Sequence, residues 1–477
     1  MDRRTFLTAG TAAGLTGLGL LGAVPAVARL EGAAEVLVTS LAELQQAIDK
    51  AVAGDVITVA NGTYPVETPI LVTAKHGTSS KPIVVRSQSP AGVVLTGERS
   101  FVFTASSDIT ISGFAFRQRT TLDLPPDCQR IRLTRNDFQL ADIAGLHWLM
   151  VRADHSTIDR NAFHGKSTLG IYLGIEGAGD DGMAQGVHVT RNHFSDHTFP
   201  GDNGGEPIRL GVSPRALTTA GAVIELNLFE RANGDPEAIS VKSSGNLIRH
   251  NTIRNSLGGI VLRHGNANRV EANFIVSGAN GIRIYGDDHR IANNYIERIK
   301  GSGIVLGSGN VRDHFVGESA PSRRGNDAPD RVLIALNTVL DCGTAISGES
   351  HRVLPPLACT IADNLFIGES GNLVNMPFQQ GITWRGNILW GRAADGNLPT
   401  GGFTRVDPLL AAGADGVRRL TAGSPAIDAA TARYPGVGLD LDGHPRPRTA
   451  DTGADEFSSH KIRFRPLTAA DVGPYSS

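Results

Sequence analysis

The sequence predicts an all-β fold: a single-stranded right-handed parallel β-helix, with a short N-terminal capping helix and an irregular C-terminal cap. Three observations carry that expectation. A short phrase ending in Asn and an apolar residue recurs along the chain. Residues flanking each Asn alternate β-branched or apolar with polar, as a half-buried strand does. And 57 Gly and 24 Pro with only 5% aromatic residues suit a chain of many tight turns.

The N-terminus comes first. Arg3 and Arg4 lead Thr5-Phe6-Leu7, and a Gly/Ala/Leu stretch runs to Ala26-Val27-Ala28. Paired arginines ahead of a weakly apolar stretch and a small-residue cleavage site resemble a twin-arginine export signal over residues 1–28. The expected location is therefore periplasmic or extracellular. The stretch is too Gly-rich for a stable membrane span, and no later run is apolar enough to cross a bilayer. Next, Ser40 and Glu43 stand as a capping box before an amphipathic segment reaching Val52. A helix there would cover the open edge of the first coil.

The repeat itself spans most of residues 29–400. Asn136, Asn161, Asn192, Asn227, Asn251, Asn273, Asn294, Asn337, Asn364 and Asn387 are separated by 25, 31, 35, 24, 22, 21, 43, 27 and 23 residues. Roughly 21 to 27 residues hold three short strands and their turns, the coil of a parallel β-helix. Leucine-rich repeats share this length, but their regular leucine frame is absent. Coils stacked at about 4.8 Å would align the asparagines into a hydrogen-bonded ladder at an inward bend. Extra residues in the long intervals must leave as loops, including the charged stretch Asp313–Asp330. Periodicity fades after residue 400, so residues 401–477 read as cap and tail.

Charge excludes some partners. With 45 Lys+Arg against 47 Asp+Glu there is no global basic field for nucleic acid or anionic lipid, so an anionic substrate needs a local cluster. Cys128, Cys342 and Cys359 are too few for a disulfide framework; a Cys342–Cys359 bridge and buried free thiols are both compatible with the spacing.

The densest polar cluster within the coils is Asn233-Gly-Asp235-Pro-Glu237-Ala-Ile-Ser-Val-Lys242, followed one coil later by Leu262-Arg263-His264-Gly265. Lys242 precedes Asn251 by nine positions and Arg263 precedes Asn273 by ten, so the register places the two cations on adjacent coils and nearly one face. Two neighbouring cations repel unless an anion or carboxylates compensate them. Asp235 and Glu237 are candidates. Spacing alone leaves open a solvated face of surface ion pairs.

This cluster is similar to the signature of the chondroitinase B and alginate lyase family, family 6 of the polysaccharide lyases, as is the upstream segment Asn203-Gly-Gly-Glu206-Pro-Ile-Arg209. The likeness extends over residues 35 to 400. It implies a lyase acting on an acidic uronate polymer, alginate above all, with Lys242 as base, Arg263 as acid, and Asn203, Asp235 and Glu237 holding Ca²⁺. It further implies substrate contacts from Arg209, His264, Arg283 and Tyr285. One departure stands out: the family commonly has glutamate at the position of Asp235. The chemistry agrees with the transfer, because removing a proton alpha to a carboxylate is eased by a hard cation on that carboxylate. Two rivals are a dermatan sulfate lyase and a non-catalytic carbohydrate-binding β-helix. A pectin-hydrolase pattern fails on order, since Asp287-Asp288 follows His264-Gly265 instead of preceding it.

Overall fold

The computed structural model describes residues 34–476; the export signal expected over residues 1–28 lies outside them. Three long parallel sheets run the length of residues 34–405. The first holds 14 strands from Glu35–Val38 to Ile382–Arg385, the second 14 from Gly62–Val66 to Phe403–Arg405, and the third 11 from Leu122–Leu124 to Ala394–Gly396. From Ser107 on, each coil contributes one strand to each sheet and pairs with the coils before and after it, as in Ile248↔Val270↔Ile291. This is the expected parallel β-helix.

The asparagine ladder is complete from Asn136 to Asn387. Each side-chain amide donates to the Oδ1 of the next asparagine at 2.9–3.0 Å, and all ten residues are fully buried. Every bend of the ladder uses the same backbone device. The residue before each ladder asparagine is left-handed, for example His250 at φ 52° and Ala272 at φ 52°. Such a conformation costs a non-glycine residue energy, which the buried amide bonds offset. Beside the ladder, Phe116, Phe138, Phe163, Phe194 and Phe229 stack in register with centroids 4.5–5.0 Å apart. A second, shorter ladder runs from Asn246 through Asn268 to His289, whose Nδ1 accepts the Asn268 N–H at 3.0 Å.

The N-terminal helix spans Leu41–Lys50 and buries Leu44 and Ile48. Ser40 Oγ accepts the Glu43 N–H as expected, while the Glu43 carboxylate reaches one residue further back, to the Thr39 N–H. The three cysteines are free thiols. No helix among the described residues is long and apolar enough to cross a membrane.

After Arg405 the chain is irregular, as expected, and its course is informative. It folds back as a strap over the outer side of the second sheet. Leu420 and Ala426 pack on Leu365 and Ile388; Leu441 and Ala454 pack on Phe274, Tyr295 and Leu340. Phe464 stacks on His250 at 3.7 Å, and Arg135 donates to the carbonyls of Pro474 and Ser476.

Candidate active site

The third sheet carries the polar cluster. Its strands Ile208–Leu210, Glu237–Lys242, Gly259–His264 and Ile282–Ile284 are consecutive neighbours, with Arg209↔Ser240↔Val261↔Arg283 in register. Ile239, Val241, Ile260 and Leu262 point into the core, so alternation turns Lys242 and Arg263 outward. Between Val241 and Lys242 the register slips, and Lys242 faces His264. That bulge places Arg263 and His264 together opposite one lysine.

Lys242 Nζ lies 3.4 Å from Glu206 Oε1, and its side chain is 15% exposed. Arg263 has no carboxylate partner among the described residues; its guanidinium stands 6.0 Å over the Tyr285 ring. His264 is buried, its Nε2 3.0 Å from Ser213 Oγ. Burial, with Arg263 and Lys242 beside it, lowers its pKa to about 3, so the ring is neutral.

The acidic side of the cluster is Glu206, Asp235 and Glu237. Asp235 is buried and accepts backbone N–H groups from Gly204 at 2.8 Å and Glu237 at 2.9 Å, tying two loops together. Burial, then the Glu206 carboxylate, push its pKa up to about 7. One oxygen each of Glu206 and Glu237 is buried with no hydrogen-bond partner. Buried, unpaired carboxylate oxygens beside a carboxyl strained by like charge fit a cation bound through hard oxygen donors. The three acids do not converge as tightly as two other groups, Asp440/Asp442/His444 and Asp287/Asp313/Asp330, whose ligand atoms all lie within 4.8 Å of one another. Asn203 is exposed at the rim of its loop.

Of the remaining expected contacts, Arg209 sits 3.6 Å from Glu176 and 3.5 Å from His147 Nε2. Arg283 is half-open and 3.7 Å from Glu349. Tyr285 is buried, and its hydroxyl donates to Glu349 at 2.9 Å. A cavity of about 260 Å³ lies beside the cluster, lined in part by Glu237, Arg283, Ser302 and Glu349.

Sequence reasoning missed two groups and did not foresee the contact made by a third. Glu206 was within the flagged Asn203–Arg209 segment, and its place before a core strand was the available signal. Glu349 and Arg352, paired at 2.7 Å, sit in an irregular turn with no periodic mark. The third is a bridge: the insertion around Asp313–Asp330 reaches back to the turn Ser213–Arg215, with Arg323 donating to the Pro214 carbonyl at 3.0 Å and His314 6.4 Å from His264. It walls one side of the cluster.

The chain is a parallel β-helix whose third sheet carries an outward row of cations beside buried carboxylates. Residues 38–350, 313 of the 477, match the family described as Chondroitinase B, and the chain belongs to that family. Among solved structures, it is similar to an arginine-to-alanine variant of the PL6 family alginate lyase AlyGC (25% identity, TM-score 0.75, 92% of this chain and 58% of that one). Unmutated AlyGC gives 27% identity, TM-score 0.73 and coverage of 82% and 56%. This chain thus spans little more than half the length of AlyGC. A mannuronic acid specific polysaccharide family 6 lyase from human gut microbiota shares the fold at 24% identity and TM-score 0.68, over 78% of this chain and 91% of that one. No protein of curated function matches.

Proposed function

We propose that the protein is a polysaccharide lyase that cleaves an acidic uronate polymer, alginate in the first place, by β-elimination. The observation that carries this reading is the bulged pairing that sets Lys242 and Arg263 together, beside carboxylates with unpaired buried oxygens. In this reading Lys242 accepts the proton alpha to the uronate carboxylate, and Glu206 holds its Nζ in position. Electrons from the broken C–H bond form the new double bond as the glycosidic C–O bond breaks. Arg263, free of a carboxylate partner, meets the charge on the departing oxygen. Ca²⁺ held by Glu237, Asp235 and Glu206, with Asn203 at the rim, would neutralise the substrate carboxylate. Arg209 and Arg283 lie three rungs apart on the same row, about 14 Å at strand spacing, and suit carboxylates of flanking sugars. Neutral His264 supports the strand end from which Arg263 projects. Export by the N-terminal signal belongs to the same proposal.

The family match, described as Chondroitinase B, favours one second reading, dermatan sulfate as the polymer. Incubation with alginate, dermatan sulfate and pectate, following unsaturated uronate absorbance against new reducing ends, tests both. Unsaturation on alginate is expected; on dermatan sulfate alone it would select the second reading. Reducing ends without unsaturation on any polymer would overturn the lyase, and neither signal would leave a binding protein.

A further inference from the structure

Far from the groove, the strap carries a second cluster in Asp440-Leu-Asp442-Gly-His444. Gly443, at φ 86°, turns the chain so that the three polar side chains meet, their ligand atoms all within 4.8 Å. All are buried: 0% of the Asp440 side chain, 1% of Asp442 and 5% of His444 is exposed.

Their hydrogen bonds leave one atom unaccounted for. Asp440 accepts the backbone N–H groups of His444 at 2.6 Å and Glu456 at 2.8 Å. Asp442 takes both its bonds from Arg419, at 2.6 and 2.9 Å. His444 Nε2 faces the Lys461 carbonyl at 3.3 Å, which makes Nε2 the protonated nitrogen. Nδ1 is then left buried with no hydrogen-bond partner, 3.5 Å from Asp440 Oδ2. A lone pair facing a carboxylate oxygen at that distance is repulsive, and either a proton on Nδ1 or a metal cation between the two atoms relieves it. Two ligand bonds of about 2.1 Å meeting at a tetrahedral angle put their donor atoms about 3.4 Å apart, close to this spacing.

We propose that Asp440, Asp442 and His444 bind a divalent transition-metal ion of the zinc class, a structural site that fastens the C-terminal strap. The surrounding contacts agree: Glu456 gives its backbone N–H to Asp440 and pairs its side chain with Arg446, while Arg419 pairs with Asp442. Arg419 is moreover shared with Asp415. An imidazole donor selects against Ca²⁺ and Mg²⁺, which separates this site from the oxygen-only cluster in the groove.

The test uses untagged protein, stripped with chelator and titrated with Co²⁺, then Zn²⁺, while visible absorption and the thermal midpoint are followed. Expected is a visible Co²⁺ band saturating at about one equivalent per chain, displaced by Zn²⁺, with a raised midpoint. His444→Gln should lose the band and the midpoint shift, and Glu237→Gln should keep both. A wild-type chain with no Zn²⁺-displaceable band overturns the proposal regardless of how the variant folds. Unchanged stoichiometry in His444→Gln overturns it equally.

Discussion

Two corners of the same coil have been built to opposite rules. At the bend between the first and second sheets every rung from Asn136 to Asn387 repeats one asparagine, one left-handed residue and one set of buried amide bonds. At the C-terminal edge of the third sheet the repeat is short, from Asn246 to His289, and beside it a strand bulges and an insertion bridges neighbouring turns. Repetition serves stacking, because identical rungs satisfy one another. Chemistry needs unlike groups side by side, so it sits away from the long ladder, where a bulge and an insertion break the repeat.

The contrast can be broken from either side. The largest effect is expected at the irregular edge: Lys242→Ala should lower kcat by about 10²–10⁴-fold, and Arg263→Ala comparably, with far-ultraviolet circular dichroism and the unfolding midpoint unchanged. Near-normal turnover in either would remove that residue from the reaction. Next, exhaustive chelation should reduce turnover by on the order of 10²-fold, restored by Ca²⁺ and not by Zn²⁺; full activity without Ca²⁺ would leave the cations alone to neutralise substrate. At the repeating corner the sign reverses. Asn251→Ala removes the acceptor of the Asn227 N–H and amide and the donor to the Ile224 carbonyl. It should destabilise by about 3 kcal/mol in denaturant unfolding while activity per folded molecule stays unchanged. A fall in kcat there would show that the corner and the edge are coupled.

The smallest effect concerns pH. His289 closes the short ladder, and burial lowers its pKa to about 4. The folded state therefore keeps it neutral, while the unfolded chain takes up a proton below about pH 6.5. Its contribution is complete above pH 6.5 and lost as pH falls toward 4, at up to about 1.4 kcal/mol per pH unit. His289→Asn preserves an acceptor for Asn268 and should flatten the acid side of the stability profile by one proton. An unchanged slope would mean that the buried ring is not the source.

Sequence periodicity reveals only what repeats. Asn136 through Asn387 were legible because each needs the same partner in the next coil, and Lys242 and Arg263 because their offsets from that ladder differ by one. That same single residue is the bulge, which spacing records but does not interpret. Glu206 and Glu349 were not legible as neighbours of the cluster, since their approach depends on loop paths that follow no period. The strap's course was hidden for a related reason. Its apolar residues are scattered, and its hydrogen-bond partners lie up to 341 positions away, as with Arg135 and Ser476.

That separation changes how the molecule holds together. A bare solenoid behaves as a one-dimensional polymer, where each unit consults only its neighbours and the ends fray independently. The strap adds contacts of very high order, tying Arg135 to Pro474 and Ser476 and Thr252 to Leu467. Loop-closure entropy makes such contacts late in folding. The coils around Arg135 and Thr252 are therefore provisional until residues 467–476 dock on them, and only then does opening one end require opening the whole.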